Sequence, residues 1–217
     1  MSIGIAICCY KGHLPYLARL LYSLEQQTRQ PDQVVVSCSS ANKDDIPIIQ
    51  CPFPLTIVTH AEKKNASQNR NYAAWSLSTD IVCFFDADDV MHPQRLEWIE
   101  RGFQDHNTMI LIHNIICDVS QRFTKYDIPR FYPNRLSVCP WGATQLHLSL
   151  PDARVHNGHV TVRREAWQEY PFPEGEDAYG KEDTVFCTTI ISAYSNQTLY
   201  CYDALSKYYP SCTRGVA

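Results

Sequence analysis

The chain opens on an unbroken apolar run, "IGIAICCY" (residues 3–10), which reads as a strand buried on both faces. Leu14, Leu17, Leu20, Leu21 and Leu24 then recur at three- and four-residue spacing, so residues 14–27 are predicted to form a helix with one apolar stripe. "PDQVVVSCSS" supplies a Pro-Asp turn and a second strand, and "LTIVTH" (55–60) a third. Residues 66–77, with Tyr72, Ala73 and Trp75, read as a helix, and "DIVCFF" (80–85) as a fourth strand. Pro93 falls where a first helical turn tolerates proline, and Leu96, Ile99 and Phe103 mark one face of the helix that follows. "MILIHNIICDV" (109–119) is a further strand. Strands alternating with helices predict an α/β fold with a mostly parallel central sheet flanked by helices on both faces.

Past residue 120 the period is lost. The stretch up to His159 carries aromatics and four prolines, and long irregular segments in compact domains are often functional. Its aromatics, Trp141 among them, serve either as anchors of the loop or as a binding surface. A short strand "HVTV" (159–162) and a helix "RREAWQEY" come next. From Glu182 a last helix is predicted, with Val185, Phe186, Thr189 and Ile190 facing inward. Glu182 and Asp183 stand at its N-terminus, where the helix dipole favours anions and an Asp can cap.

The pattern gives chemistry to "FFDADDV". Asp86, Asp88 and Asp89 follow an apolar strand within four residues of one another, and like charges this close raise each other's pKa. A solvated turn would explain them locally. In an open α/β sheet, however, ligands bind beyond the carboxyl ends of the strands, which is where these carboxylates stand. A cation, or a ligand brought in with one, would relieve their repulsion.

Composition removes some alternatives. With 217 residues, 45% of them hydrophobic, the chain is long enough for one sizeable core. A net charge of -4 without a Lys/Arg stripe excludes nucleic acid as the principal partner. Most of the ten cysteines sit in apolar stretches, without a CxxC pair or a zinc-like spacing, so they read as buried thiols of a reducing, cytoplasmic environment. The N-terminus reads as a strand rather than a signal peptide, and no apolar run is long enough for a transmembrane segment.

Five elements in order resemble nucleotide-sugar glycosyltransferases of the GT-A fold, and among them glycosyltransferase family 2. These are the first turn "CCYK"; Ser23-Leu24-Glu25-Gln26-Gln27; Arg70-Asn71-Tyr72-Ala73; the Asp-x-Asp of "FFDADD"; and the Glu-Asp of "GKEDTVF". The resemblance covers residues 1–116 and 155–214. It implies one domain over 1–217, with a Rossmann-like nucleotide-sugar-binding half (1–116) and an acceptor-binding, catalytic half (117–217). It further implies a metal-dependent, inverting transferase that moves a sugar from a UDP-sugar to a hydroxyl of a glycan or other acceptor.

On that resemblance Asp88 ligates Mn2+ or Mg2+, and Asp86 lies beside it at the ribose or an outer-shell water. Asp89 meets the donor sugar or caps the following helix. Cys9 and Tyr10 of the first turn, Ser37 at the base edge and Arg70 near the diphosphate complete the nucleotide-sugar site. Asp183 is the general base, with Glu182 and Trp141 on the acceptor side. Two features depart from the family pattern: Ser37 replaces an acidic residue that contacts uracil, and "KYYPSCTRG" lacks a C-terminal metal-ligating His. Arg214 of that tail is placed either near the diphosphate or outside the site. The motif around Asp86 also resembles that of haloacid-dehalogenase-type phosphatases, with Asp86 as nucleophile, Asp88 as acid/base and Mg2+. Those enzymes carry it on their first strand, whereas three strands precede it here. A catalytically inactive sugar-binding module is the remaining alternative.

Overall fold

The computed structural model describes residues 1–105 and 107–209. Its elements are β1 (Ile3–Tyr10), α1 (Leu14–Glu25), β2 (Gln33–Ser39), β3 (Leu55–His60), α2 (Ala66–Trp75), β4 (Ile81–Asp86), β5 (Val90–Met91), α3 (Arg95–Asp105), β6 (Ile110–Ile116), β7 (Phe131–Pro133), β8 (Leu136–Val138), β9 (Thr144–Leu146), β10 (Thr161–Arg163), α4 (Arg164–Glu169), α5 (Glu182–Ala193) and β11 (Thr198–Lys207). The main sheet runs β3-β2-β1-β4-β10-β6-β11-β5, with β7 on β11, while β8 and β9 form a separate hairpin. β3, β2, β1 and β4 are parallel, as expected. The second half is mixed: β10 lies antiparallel between β4 and β6, and β11 is parallel to β6. A three-residue strand entered from a turn can pair antiparallel without the long crossover that parallel pairing demands.

Strand order reverses at β1. The chain moves outward through β2 and β3, then returns to β4 on the other side of β1, so a crevice opens at the carboxyl ends of β1 and β4. Side chains alternate across the sheet. Ile3, Ile5, Ile7 and Cys9 of β1, with Ile81, Cys83 and Phe85 of β4, pack under the leucine stripe of α1 and under Leu96, Ile99 and Phe103 of α3. Ala6, Val82 and Phe84 face the other way, against α2, α4 and α5. The same alternation sends Cys8 and Asp86 to the side of α2 and α5.

The helices begin and end for local reasons. Pro15 lies in the first turn of α1. Asn65 and Gln68 form a capping box at the start of α2, each side chain satisfying the other's backbone N–H. The expected inward face of α5 needs correction. Phe186, Cys187, Ile190 and Ile191 are buried, whereas Thr189 is exposed and Val185 half-buried. The apolar residues of α5 nearly encircle it, so periodicity alone gave a face rotated by one position. The long segment after residue 120 holds β7, β8 and β9, three-residue strands too short for alternation to reveal. The nine cysteines among the described residues are free. No described helix is long and apolar enough to cross a membrane. Arg214 lies outside the described residues.

Candidate active site

Arg70, on the face of α2 turned to the sheet, is the hub of the crevice. Its side chain is 5% exposed, and its two terminal nitrogens each donate at 2.8 Å, one to Asp86 at the end of β4 and one to Glu182 at the start of α5. Burial acts against this charge, but Asp86 and the neighbouring Glu182 and Asp183 keep its pKa raised. Burial pushes the pKa of Asp86 up, but Arg70, with help from His159 and His156, outweighs it and holds the carboxyl below its usual range. By holding Asp86 and Glu182 at once, Arg70 ties the nucleotide-side strand end to the C-terminal acidic pair. Cys8, on the same face, lies close enough to feel both Arg70 and Asp86; burial pushes its thiol up to about 12.

The other two carboxylates of the motif diverge. Asp88 is buried beside α1, with Oδ2 3.7 Å from His13 Nε2, too far for a hydrogen bond. Burial, and then repulsion from Asp89 and Asp86 against the pull of His13, raise its pKa to about 6. Asp89 is 1% exposed. It accepts the Tyr209 N–H at 2.8 Å and meets His159 Nε2 at 2.9 Å, while His159 Nδ1 meets the Ser206 hydroxyl at 2.8 Å. The expected alternative of Asp89 as a helix cap is corrected: α3 starts only at Arg95, and Asp89 is held from the far end of the chain.

The residues fit a divalent cation in two respects. Ligand atoms of Asp86, Asp89 and His159 lie within 4.8 Å of one another. Burial and mutual repulsion also raise the pKa of Asp89 to about 7, a crowding of charge that a cation relieves. Tyr209 and Ser206 engage Asp89 Oδ1 and His159 Nδ1, whereas Asp89 Oδ2 and His159 Nε2 face each other at 2.9 Å, buried and without a hydrogen bond. Asp88 also retains unfilled acceptor capacity, its side chain facing the more distant His13.

Asp183 stands at the second position of α5, not at its N-cap, which is Lys181. Its Oδ1 accepts the Thr184 N–H at 2.6 Å. Its Oδ2 faces Gly158, in the turn His156–His159 that leads into β10.

A family model for glycosyl transferase family 2 matches residues 4–200. The chain belongs to glycosyl transferase family 2. It is 29% identical over 121 residues to an uncharacterised glycosyltransferase of Haemophilus influenzae, covering 55% of this chain and 41% of that protein. A second uncharacterised glycosyltransferase, from Nostoc sp., is 26% identical over 121 residues, 53% of this chain and 37% of its own. The matches thus span about two-fifths of these curated relatives. Among solved structures, S. aureus TarS 1–349 in complex with UDP-GlcNAc superposes with a TM-score of 0.68 at 16% identity, over 100% of this chain and 62% of that one. A mannosyltransferase from Pyrobaculum calidifontis, in complex with GDP-Man and Mn2+, gives 0.67 at 15% identity over 99% and 58%. These likenesses establish the shared GT-A fold, and family membership sets the phosphatase alternative aside.

Within this family 2 chain, the structure gathers Arg70, Asp86, Asp88, Asp89, Glu182 and Asp183 around one crevice. Other expected residues are placed differently. The Cys9 side chain is in the core and is paired in register with Cys38, so it offers the crevice only backbone; Cys8 supplies the thiol there. Tyr10 packs on His13 with ring centroids 4.1 Å apart, an approach that Gly12 permits, since a Cβ there would lie 2.3 Å from the Tyr10 ring. Ser37 is fully buried. Its hydroxyl donates to Asn69 Oδ1 at 3.0 Å and sits 3.1 Å from Nε2 of half-buried His60. Trp141, 81% exposed, stands away from the carboxylates on the lip of a cavity of about 500 Å3 beside the β8–β9 hairpin. His13, His156 and His159 were not foreseen. The antiparallel pairing of β10 with β4 brings the last two in, and no local signal announces it.

Proposed function

We propose that this single domain binds a nucleotide-sugar, a UDP-sugar in the first instance, and transfers its sugar with inversion to a hydroxyl of a glycan or other acceptor. The observation that carries this reading is the Asp86–Arg70–Glu182 bridge, which fixes the end of the nucleotide-side strand against the start of the helix bearing Asp183. Residues 1–116 form the donor half and 117–217 the acceptor half. Asp88 and Asp86 would hold the divalent cation, Mn2+ or Mg2+. When bound, that cation supplies a Lewis acid that neutralises the charge of the departing diphosphate. Asp86 keeps Arg70 in place at that point. Asp183 Oδ2 takes the proton of the acceptor hydroxyl, whose oxygen bonds to the anomeric carbon as the bond to the diphosphate breaks on the opposite face, and this single displacement gives inversion.

Base recognition differs from the family pattern, because the Ser37 hydroxyl is engaged by Asn69. His60, whose Nε2 faces that hydroxyl and whose ring packs on Tyr72, takes the place of a carboxylate at the base edge. On the acceptor side, Thr144 of the β8–β9 hairpin donates to Asn157 at 3.0 Å, and Asn157 donates to Thr184 at 3.2 Å. That chain couples the Trp141 cavity to the residue next to Asp183, which supports Trp141 as an acceptor contact. The free cysteines support a reducing, cytoplasmic setting.

Asp88→Asn tests the reading. The side chain is buried in the turn between β4 and β5, and Asn matches its size, so the variant is expected to melt close to wild type yet lose most Mn2+-dependent affinity for UDP in isothermal titration. Unchanged Mn2+-dependent affinity would remove Asp88 from the site.

A further inference from the structure

The turn His156–His159 is held from every side. Antiparallel pairing sets Thr161 opposite Cys83, and Phe84 N–H donates to the Val160 carbonyl at 2.9 Å, which continues the register until Gly158 lies beside Asp86. Fully buried Arg95 donates to the His159 carbonyl at 2.9 Å. The His159 ring stacks on Phe85, with centroids 4.0 Å apart, and is fixed at Nδ1 by the Ser206 hydroxyl, 2.8 Å away. Asn157 is tied to both Thr144 and Thr184. A turn restrained this densely is a rigid floor, and a floor sets shape.

Gly158 is the one position of that floor without a side chain. A Cβ there would lie 3.3 Å from Asp86 Oδ2, 3.6 Å from Asp183 Oδ2 and 3.1 Å from His156 Cε1. Its backbone is outside the left-handed region, so conformation does not demand glycine. Space does. The point a side chain would fill lies between the carboxylate on the donor strand and the carboxylate assigned as base. His156 Nδ1 is buried at the same place and lacks a hydrogen-bond partner, as expected of a group awaiting a ligand's hydroxyl.

We propose that Gly158 determines which donor sugars are admitted: the buried turn His156–His159 carries no side chain where it passes between Asp86 and Asp183, and that omission leaves the two carboxylates free to close on the pyranose ring. This deepens the proposed function and rests on it. It makes the turn a selector for the sugar and leaves it indifferent to the nucleotide. A methyl group at Gly158 narrows the slot on the sugar, pressing on Asp86 Oδ2 from 3.3 Å, while leaving the contacts of α2 and β1 untouched.

The test uses Gly158→Ala and Gly158→Val in the full chain, titrated with UDP, UDP-glucose and UDP-xylose in Mn2+. One misplaced methyl in a pocket is worth about 10–200-fold in discrimination. Gly158→Ala is therefore expected to bind UDP like wild type, to bind UDP-glucose at least about tenfold more weakly, and to shift preference toward UDP-xylose, which lacks the hexose hydroxymethyl group. Gly158→Val extends the trend. Equal losses for UDP and both UDP-sugars would mark Gly158 as a purely structural glycine and overturn the proposal. Wild-type affinity of Gly158→Ala for UDP-glucose would overturn it too, while leaving the proposed function standing. Failure of the wild-type chain to bind any of the three would instead strike the proposed function itself.

Discussion

Asp183→Asn is expected to slow sugar transfer at least ~100-fold while donor binding and melting stay close to wild type, because a positioned general base typically contributes on the order of 10²–10⁴ in rate. The geometry lets this substitution separate chemistry from structure. Lys181, not Asp183, is the N-cap of α5, so no cap is lost. Asn retains an oxygen to accept the Thr184 N–H that Asp183 Oδ1 now takes at 2.6 Å. The change falls on the other atom: an amide N–H would face the Gly158 slot where a carboxylate oxygen stood, and it cannot take a proton. Losing one negative charge in the first turn of the helix costs about 0.3–1 kcal/mol, which melting would register as a small shift. Single-turnover transfer measured beside donor titration checks the prediction. Near-normal transfer would leave the inverting scheme without its base.

Arg70→Met is expected to lose about 3–5 kcal/mol of stability, the usual cost of leaving a buried charge without its partner. For a chain of this length that corresponds to a fall of roughly 6–20 °C in melting temperature. Both Asp86 and Glu182 would be stranded, since each takes one of the two terminal nitrogens. Arg70→Lys is expected to fall between, because an ammonium cannot span two carboxylates as the guanidinium fork does. The triple variant Arg70→Met, Asp86→Asn, Glu182→Gln should recover much of the loss, since the residual penalty belongs to the unpaired carboxylates. Thermal melts of the three proteins decide it. A loss below about 1 kcal/mol for Arg70→Met would show the bridge to be dispensable to the fold.

What the sequence made legible follows from how local each signal is. β1, β2 and β4 are central parallel strands, buried on both faces, and announce themselves as continuous apolar runs. β10 shows itself in sequence as the short strand 159–162 but not its antiparallel pairing, and β11 is broken by register shifts between Cys201 and Ser206, so it carries no period to read. In the site, Arg70, the Asp-x-Asp carboxylates and the Glu182-Asp183 pair were found because a family pattern links them in sequence. Cys9 was chosen over Cys8 because a pattern of residue types does not say which face of a strand a side chain takes, and one position changes the face. His159 and Gly158 became visible only when β10 was paired with β4 in register. His13 required α1 to be packed against the turn after β4.

The central claim, a metal-assisted nucleotide-sugar site at the end of β4, is tested most directly by the thermal stability of the wild-type chain with UDP-, TDP- and GDP-sugars, in Mn2+ and again in EDTA. A donor at about a hundredfold its Kd stabilises the folded chain by about 2.7 kcal/mol. At roughly 2–4 °C per kcal/mol for this size, the melting temperature should rise by about 5–11 °C. A UDP-sugar in Mn2+ is expected to give that rise, the GDP-sugar a smaller one, and neither any rise in EDTA. A shift of the same size in EDTA, or no shift with any of the sugars in Mn2+, would contradict it.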